Sequence, residues 1–212
     1  YIINTRDANN CTPSSGLTIN VPAPIAPTAT LDATSDLCYD SINQARFVVN
    51  VSGGIAPYSY SLDGAGGQVS NTFTNVGIGT HTIVVTDSYG CTATIANIII
   101  APQLTTNVIL TKDLDCSGSP DALITGTITG GNSPYTVSLV TGTGTPVVTG
   151  NTYTLSTSTA GNYQFLITDS TGTTAQHCTV QSAIITINPI VNPTVSPTPV
   201  NPSCNAATNG SV

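Results

Sequence analysis

GGIAPYSYSL at residues 53–62 and GGNSPYTVSL at residues 130–139 are two copies of one pattern. In each, a Gly-Gly-x-x-Pro-Tyr turn leads into residues that alternate apolar and polar. Alternation with period two marks a half-buried strand, and Gly and Pro punctuate its start. Gly53, Gly54, Pro57 and Tyr58, with Gly130, Gly131, Pro134 and Tyr135, are therefore the turn residues that define a repeat.

The similarity extends outward from these turns. NTFTNV at 71–76 is answered by NTYTLS at 151–156. HTIVVTDSYGC at 81–91 is answered by NYQFLITDSTG at 162–172, with YIINTRDANNC at 1–11 as a third copy. Asp7, Asp87 and Asp169 fall 80 and 82 residues apart, and Gly53 and Gly130 fall 77 apart, so one register relates all the copies. Upstream of each double glycine stands a head cysteine, Cys38 or Cys116, and Cys204 is a third; Cys11, Cys91 and Cys178 are the tail cysteines. The expected organisation is the end of one repeat (1–27), two whole repeats (28–102 and 103–190) and the start of another (191–212). The absence of the GGxxPY centre from both partial ends points to a window on a longer array.

Each repeat of about 80 residues offers six or seven short strands separated by turn signals, the pattern of an all-β domain. Phe47, Val49 and Val51 alternate, as do Tyr58, Tyr60 and Leu62; Phe73 and Val76, then Ile83 and Val85, follow. The last strand leaves two readings open, with Ile95 and Ile99 inward or Ile98 and Ile100 inward. The second repeat offers Ile124 and Ile128, then Tyr135, Val137 and Leu139, Tyr153 and Leu155, Tyr163, Phe165 and Ile167, and finally Ile185 and Ile187. The predicted fold is all-β: tandem immunoglobulin-like antiparallel β-sandwich repeats joined by Pro-rich linkers. Those linkers carry Pro22, Pro24 and Pro27, then Pro102, then Pro189, Pro193, Pro197, Pro199 and Pro202, and should be semi-rigid and extended.

Composition narrows the function. Charged residues make up 6% of the 212, the net charge is −7, and all ten acids are aspartates. Three cations cannot displace counterions from a phosphate backbone, so nucleic acid is excluded as a partner. No apolar run reaches the roughly 18 residues of a spanning helix, so no membrane contact is expected in this segment. Six cysteines with few lysines and no glutamate suit an extracellular, oxidising setting.

The order of head cysteine, strand, GGxxPYxYS, aromatic-led strand, TDxxGC, strand and proline resembles the SprB-type repeat of giant cell-surface adhesins in gliding Bacteroidetes. The resemblance covers nearly the whole chain and is most specific at 53–61, 85–91 and 130–139. The second repeat departs from it: its tail cysteine is delayed to Cys178, and Val137 replaces the second aromatic. The resemblance implies export by the type IX pathway, display at the cell surface, and a role as the shaft of a filament used in attachment and gliding. It also suggests O-glycosylation, because Asp40-Ser41-Ile42 and Asp169-Ser170-Thr171 look like Bacteroidetes acceptor sites, making Ser41 and Ser170 the candidates.

Three disulfide schemes are open. Pairing within repeats, ranked first, joins Cys38 to Cys91 and Cys116 to Cys178 and leaves Cys11 and Cys204 to partners elsewhere. Pairing across junctions joins 11–38, 91–116 and 178–204, but spans two extended strands running in one direction, which separates the thiols. The third scheme follows from sandwich topology, which puts the head cysteine at one pole and the tail cysteine at the other. Since a disulfide tolerates only about 7 Å between Cα atoms, Cys38 of one repeat would then meet Cys178 of the next.

Catalytic chemistry is not expected. Acid–base work needs titratable groups held together, and here the aspartates sit in turns while His81 and His177 occupy unmatched positions. Asp87 and Asp169 are weak calcium candidates; an Asp before a turn more often caps its own backbone. No cofactor is expected, and no enzymatic activity. The leading reading is a structural stalk of a large extracellular repeat adhesin, whose partners are further repeats of the same chain and neighbouring filament chains. The alternative is a glycan-binding β-sandwich that recognises surface glycans through exposed Thr, Asn and Tyr.

Overall fold

The computed structural model describes residues 2–3, 5–12, 17–18, 24–40, 42–117, 121–173, 176–191 and 193–199. The described residues form sixteen β-strands and no α-helix. Abundant Thr, Val and Ile favour the pleated state, and the good helix formers are nearly absent. The chain divides into two compact units. One comprises Tyr1–Thr105, Thr129–Pro134 and Asp169–Thr179; the other comprises Thr106–Ile128, Tyr135–Thr168 and Val180–Val212.

The first unit opens with an antiparallel pair, β1 (Ile2–Ile3) and β2 (Leu17–Thr18). Six strands follow: β3 (Thr28–Leu31), β4 (Ala45–Ser52), β5 (Ser59–Leu62), β6 (Thr72–Val76), β7 (Gly79–Thr86) and β8 (Thr92–Ile100). They form two antiparallel sheets, ordered β3-β4-β6 and β5-β7-β8. Ala45, Phe47 and Val49 of β4 alternate inward and pack with Phe73 and Val76 from the same sheet. From the other sheet come Tyr60, Ile83, Val85, Ile98 and Ile100. Each large side chain buried there contributes about 1.5–3 kcal/mol of hydrophobic stabilisation.

Strand β8 resolves the two readings of its sequence by using both. Its pairing with β7 shifts register between His81 and Ile83, and Asn97 adopts a left-handed φ of 59°. This β-bulge reverses the inside–outside parity along the strand. Ile95 packs against the core before the bulge, and Ile98 and Ile100 point inward after it, leaving Ile99 exposed.

The second unit is built from β9 (Thr105–Lys112), β10 (Ala122–Thr129), β11 (Thr136–Thr141), β12 (Val147–Thr149), β13 (Thr152–Thr157), β14 (Gly161–Thr168), β15 (Thr179–Gln181) and β16 (Ile185–Ile187). One sheet runs β12-β13-β10-β9; in the other, β14 pairs with β11 and with both β15 and β16. The final strand is thus broken in two around Ser182, whose hydroxyl accepts the Phe165 N–H at 3.0 Å and so replaces a ladder bond. The core gathers Ile124 and Ile128 with Tyr153, Leu155, Tyr163, Phe165, Ile167 and Ile187. Tyr153 lies across β10 opposite Gly126, where any Cβ would overlap its ring. The glycine therefore makes room for the tyrosine, whose ring meets Phe165 at a centroid distance of 5.0 Å and whose hydroxyl reaches Thr106 at 3.1 Å.

Candidate functional site

The recurring aspartate organises the turn that precedes each final strand. In all three copies one carboxylate oxygen (Oδ1) accepts two backbone N–H groups. Asp7 takes those of Asn9 and Cys11, at 2.9 and 2.8 Å. Asp87 takes those of Tyr89 and Cys91 at the same two distances. Asp169 takes those of Thr171 and Cys178, at 3.0 and 2.8 Å. In each case the aspartate's own N–H donates to the carbonyl of the tail cysteine. The tail cysteine thus occupies one structural position, although it follows its aspartate by four residues in two copies and by nine in the third.

At Asp87 and Asp169 the second oxygen (Oδ2) reaches the Gly-Gly turn. Asp87 accepts the Ile55 N–H at 3.1 Å, and Asp169 accepts the Asn132 N–H at 2.9 Å and the Thr171 hydroxyl at 2.6 Å. Both glycines of each turn have positive φ: 72° and 67° at Gly53 and Gly54, 70° and 62° at Gly130 and Gly131. A Cβ on Gly131 would sit 2.9 Å from the Asp169 carboxylate and from Leu104, so conformation and space both demand glycine. The N–H groups of Gly54 and Gly131 donate to the carbonyls of Ile25 and Pro102, tying the turn to the chain entering the sandwich. Tyr58 closes the turn by donating its hydroxyl to the Gly53 carbonyl at 2.7 Å. The peptide bonds before Pro57 and Pro134 are both cis. Asp87 and Asp169 thus do the work of turn caps, with both oxygens of each engaged by protein donors.

Cys38 and Cys178 form a disulfide, with Cα atoms 5.5 Å apart and 140 residues between them in sequence. Pairing within repeats, our first-ranked scheme, is not the one formed: Cys91 and Cys116 carry free thiols, as does the exposed Cys11. The junction scheme fails for the same reason at 11–38 and 91–116. The head cysteine lies in the loop between β3 and β4, and the first compact unit holds this loop together with the turn that carries Cys178. Cys204 lies outside the described residues.

Sequence reasoning missed the residues that support this bond. Gln176 is buried; its side-chain oxygen accepts the Thr173 N–H and hydroxyl at 3.0 and 3.1 Å, and its amide donates to the Ser35 carbonyl at 3.4 Å. Leu37 packs against Gly172, where an added Cβ would meet it at 2.8 Å. The available signal was the longer spacing from Asp169 to Cys178, nine residues against four, which adds Gln176 to this turn. Beside it lies a groove of about 690 Å³ lined by Ala29, Leu31, Leu37, Ile98, Ser170 and Gln176 among others; none of the described residues lining it is titratable.

The remaining candidates are held structurally. The Ser170 hydroxyl faces the carbonyls of Asn132 and Ser133 at 3.0 and 2.7 Å, while Ser41 lies outside the described residues. His81 bridges Asp63 at 2.7 Å and the Gly77 carbonyl at 2.9 Å, with its ring edge-on to Phe47. Tyr89 is 71% exposed, whereas its counterpart Thr171 is buried. Among the described residues no group of three His, Cys or Asp side chains is placed to hold a metal ion.

The aspartates make the fold acid-sensitive in a defined window. Hydrogen bonds from Thr34, then from the Asn50 side chain, hold Asp32 at about 2 against its ordinary 3.8, with Arg46 adding to the effect. For Asp87, burial acts to raise the value, but N–H donors from Cys91, Ile55, Tyr89 and Gly90 outweigh it, and the carboxyl stays low. A folded-state value below the unfolded one means stability is fully present above the ordinary aspartate range. It is lost as pH falls through the folded value. The thermal midpoint should therefore be flat above pH 5 and drop between about pH 4 and 2. Asp32→Asn should flatten that drop; a pH series of melting curves on both proteins checks it.

Residues 30–67 match the family model for the SprB repeat. The matched stretch runs from β3 through β4 and the Gly-Gly turn to just beyond β5, and it contains Cys38. It is the family whose pattern the sequence resembles. No curated protein matches the chain.

Proposed function

We propose that this chain is a structural stalk segment of a large extracellular repeat adhesin, and that it is non-enzymatic. The observation that carries this reading is the Cys38–Cys178 bond, which ties the head of one repeat to the tail of the next. A covalent tie between successive repeats resists pulling and bending, which a load-bearing shaft requires and a free-standing binding module does not. The match to the SprB repeat, a repeat of cell-surface adhesins, supports surface display. The partition of β3–β8 also supports an immunoglobulin-like module: first, second and fourth in one sheet, third, fifth and sixth in the other. The repeats are taken as 28–102 and 103–190, flanked by parts of two more.

Type IX export and O-glycosylation belong to the same reading. Modification of Ser170 requires its hydroxyl to leave the carbonyls of Asn132 and Ser133. The test is the size of the native polypeptide on a reducing, denaturing gel with glycan staining. The expected species runs far above 21.5 kDa. A discrete product near that mass overturns the array.

A further inference from the structure

We infer that the bond between Cys38 and Cys178 is one rung of a ladder. Cys91 would pair with the head cysteine of the preceding repeat, and Cys116 with the tail cysteine of the following one. This rests on the proposed array and specifies how its members are joined.

The argument comes from positions within the repeat. Where a head cysteine and the next repeat's tail cysteine are both among the described residues, they are bonded. Cys91 is a tail cysteine with the same backbone bonds as Cys178: each donates its N–H to the turn aspartate at 2.8 Å, returns its carbonyl to that aspartate's N–H, and is followed at once by the final strand. Cys116 matches Cys38, since each lies in the loop between the first two strands of its repeat, with an aspartate and a leucine just before it. Both unpaired residues are free thiols. The surface around Cys91 is also uncovered: Tyr89 is exposed, and Ile55, bonded to the same aspartate, is 44% exposed. At the bonded site the loop carrying Ser35, Leu37 and Cys38 covers the corresponding turn, and Leu37 is buried there. The occupant expected at Cys91 is therefore an equivalent loop from another repeat of this chain.

Each rung forms by thiol–disulfide exchange with a disulfide oxidant. One thiolate attacks a sulfur of the oxidant and expels a thiolate; the partner cysteine then attacks the mixed disulfide and expels the second. One S–S bond is made and one broken, the two cysteine thiols lose two electrons and two protons in total, and the oxidant leaves as two thiols.

The test is alkylation followed by non-reducing peptide mapping of the protein from its native cells, with the 212-residue chain mapped in parallel. In the isolated chain, oxidised with glutathione disulfide, Cys38–Cys178 should be closed, and Cys91 and Cys116 should carry glutathione or the alkyl group and no peptide cross-link. In the native protein both should resist alkylation, with Cys91 in a peptide cross-linked to a head cysteine and Cys116 in one cross-linked to a tail cysteine. Cys91→Ser should then free one cysteine in the preceding repeat. Free thiols at Cys91 and Cys116 in a native protein that carries further repeats overturn the ladder while leaving the array standing. So does a bond between Cys91 and Cys116, or a gel species that falls to a smaller chain on reduction and so marks a link between copies. A native protein without further repeats overturns the array itself.

Discussion

Asp169→Ala should destabilise the protein by about 3–5 kcal/mol, because it strands several buried donors at once. Asp169 is 2% exposed and accepts the N–H groups of Asn132, Thr171 and Cys178 and the hydroxyl of Thr171. Water cannot replace these bonds without opening the pole, and each buried donor left unpaired costs about 1–3 kcal/mol. Asp169→Asn should cost less, since its remaining oxygen still accepts at one side while its NH2 group opposes a donor at the other. Asp7→Ala provides the control within the same chain. Asp7 makes the same two turn bonds, but it is exposed, and solvent takes over when the carboxylate is removed. Its cost should stay below about 1 kcal/mol. Chemical denaturation of the three variants measures the ordering; equal effects for Asp7 and Asp169 would remove burial as the cause.

Reduction of Cys38–Cys178 is the second large effect. The bond closes a loop of 140 residues, which in the chain-entropy treatment restricts the unfolded state by about 5 kcal/mol. Loss of a native disulfide commonly costs about 2–5 kcal/mol. At about 2–4 °C per kcal/mol for a chain of this size, the melting midpoint should fall by roughly 5–15 °C. Cys38→Ser and Cys178→Ser should lower it equally, and the double variant no further, because either change removes the same bond. A reducing agent should lower the midpoint of the wild-type chain and leave those variants unmoved. An unchanged midpoint in the single variants would mean the bond is held by the contact of Leu37 and Gln176 rather than stabilising it.

Much of the fold was legible because it depends on local chemistry. Alternation at Phe47 and Val49 or at Phe165 and Ile167 reports which face of a strand is buried, whatever packs against it. The glycines of the GGxxPY turn are readable for the same reason: a left-handed backbone excludes most side chains. The aspartate before each tail turn was readable as a cap, since its first two partners lie two to nine residues downstream. Its third link, to the N–H of Ile55 or Asn132, spans 32 or 37 residues and has no local signature.

Where the sequence left two answers, long-range geometry chose between them. The parity of β8 depends on a bulge opposite β7, so neither set of isoleucines could be assigned from alternation alone. The cysteine pairing was harder still. The sequence left three schemes open, within a repeat, across a junction, and from one repeat's head to the next repeat's tail, and the delayed position of Cys178 looked like a departure from the pattern. The structure returns Cys178 to the common position through its bonds to Asp169, and uses Gln176, one of the added residues, to seat the loop of Cys38. The sequence alone determined the repeat, the all-β class and the turn chemistry, because these rest on interactions between near neighbours. Only the tertiary structure decided which thiols meet, because a disulfide requires Cα atoms within about 7 Å, and proximity across 140 residues is a property of the folded chain.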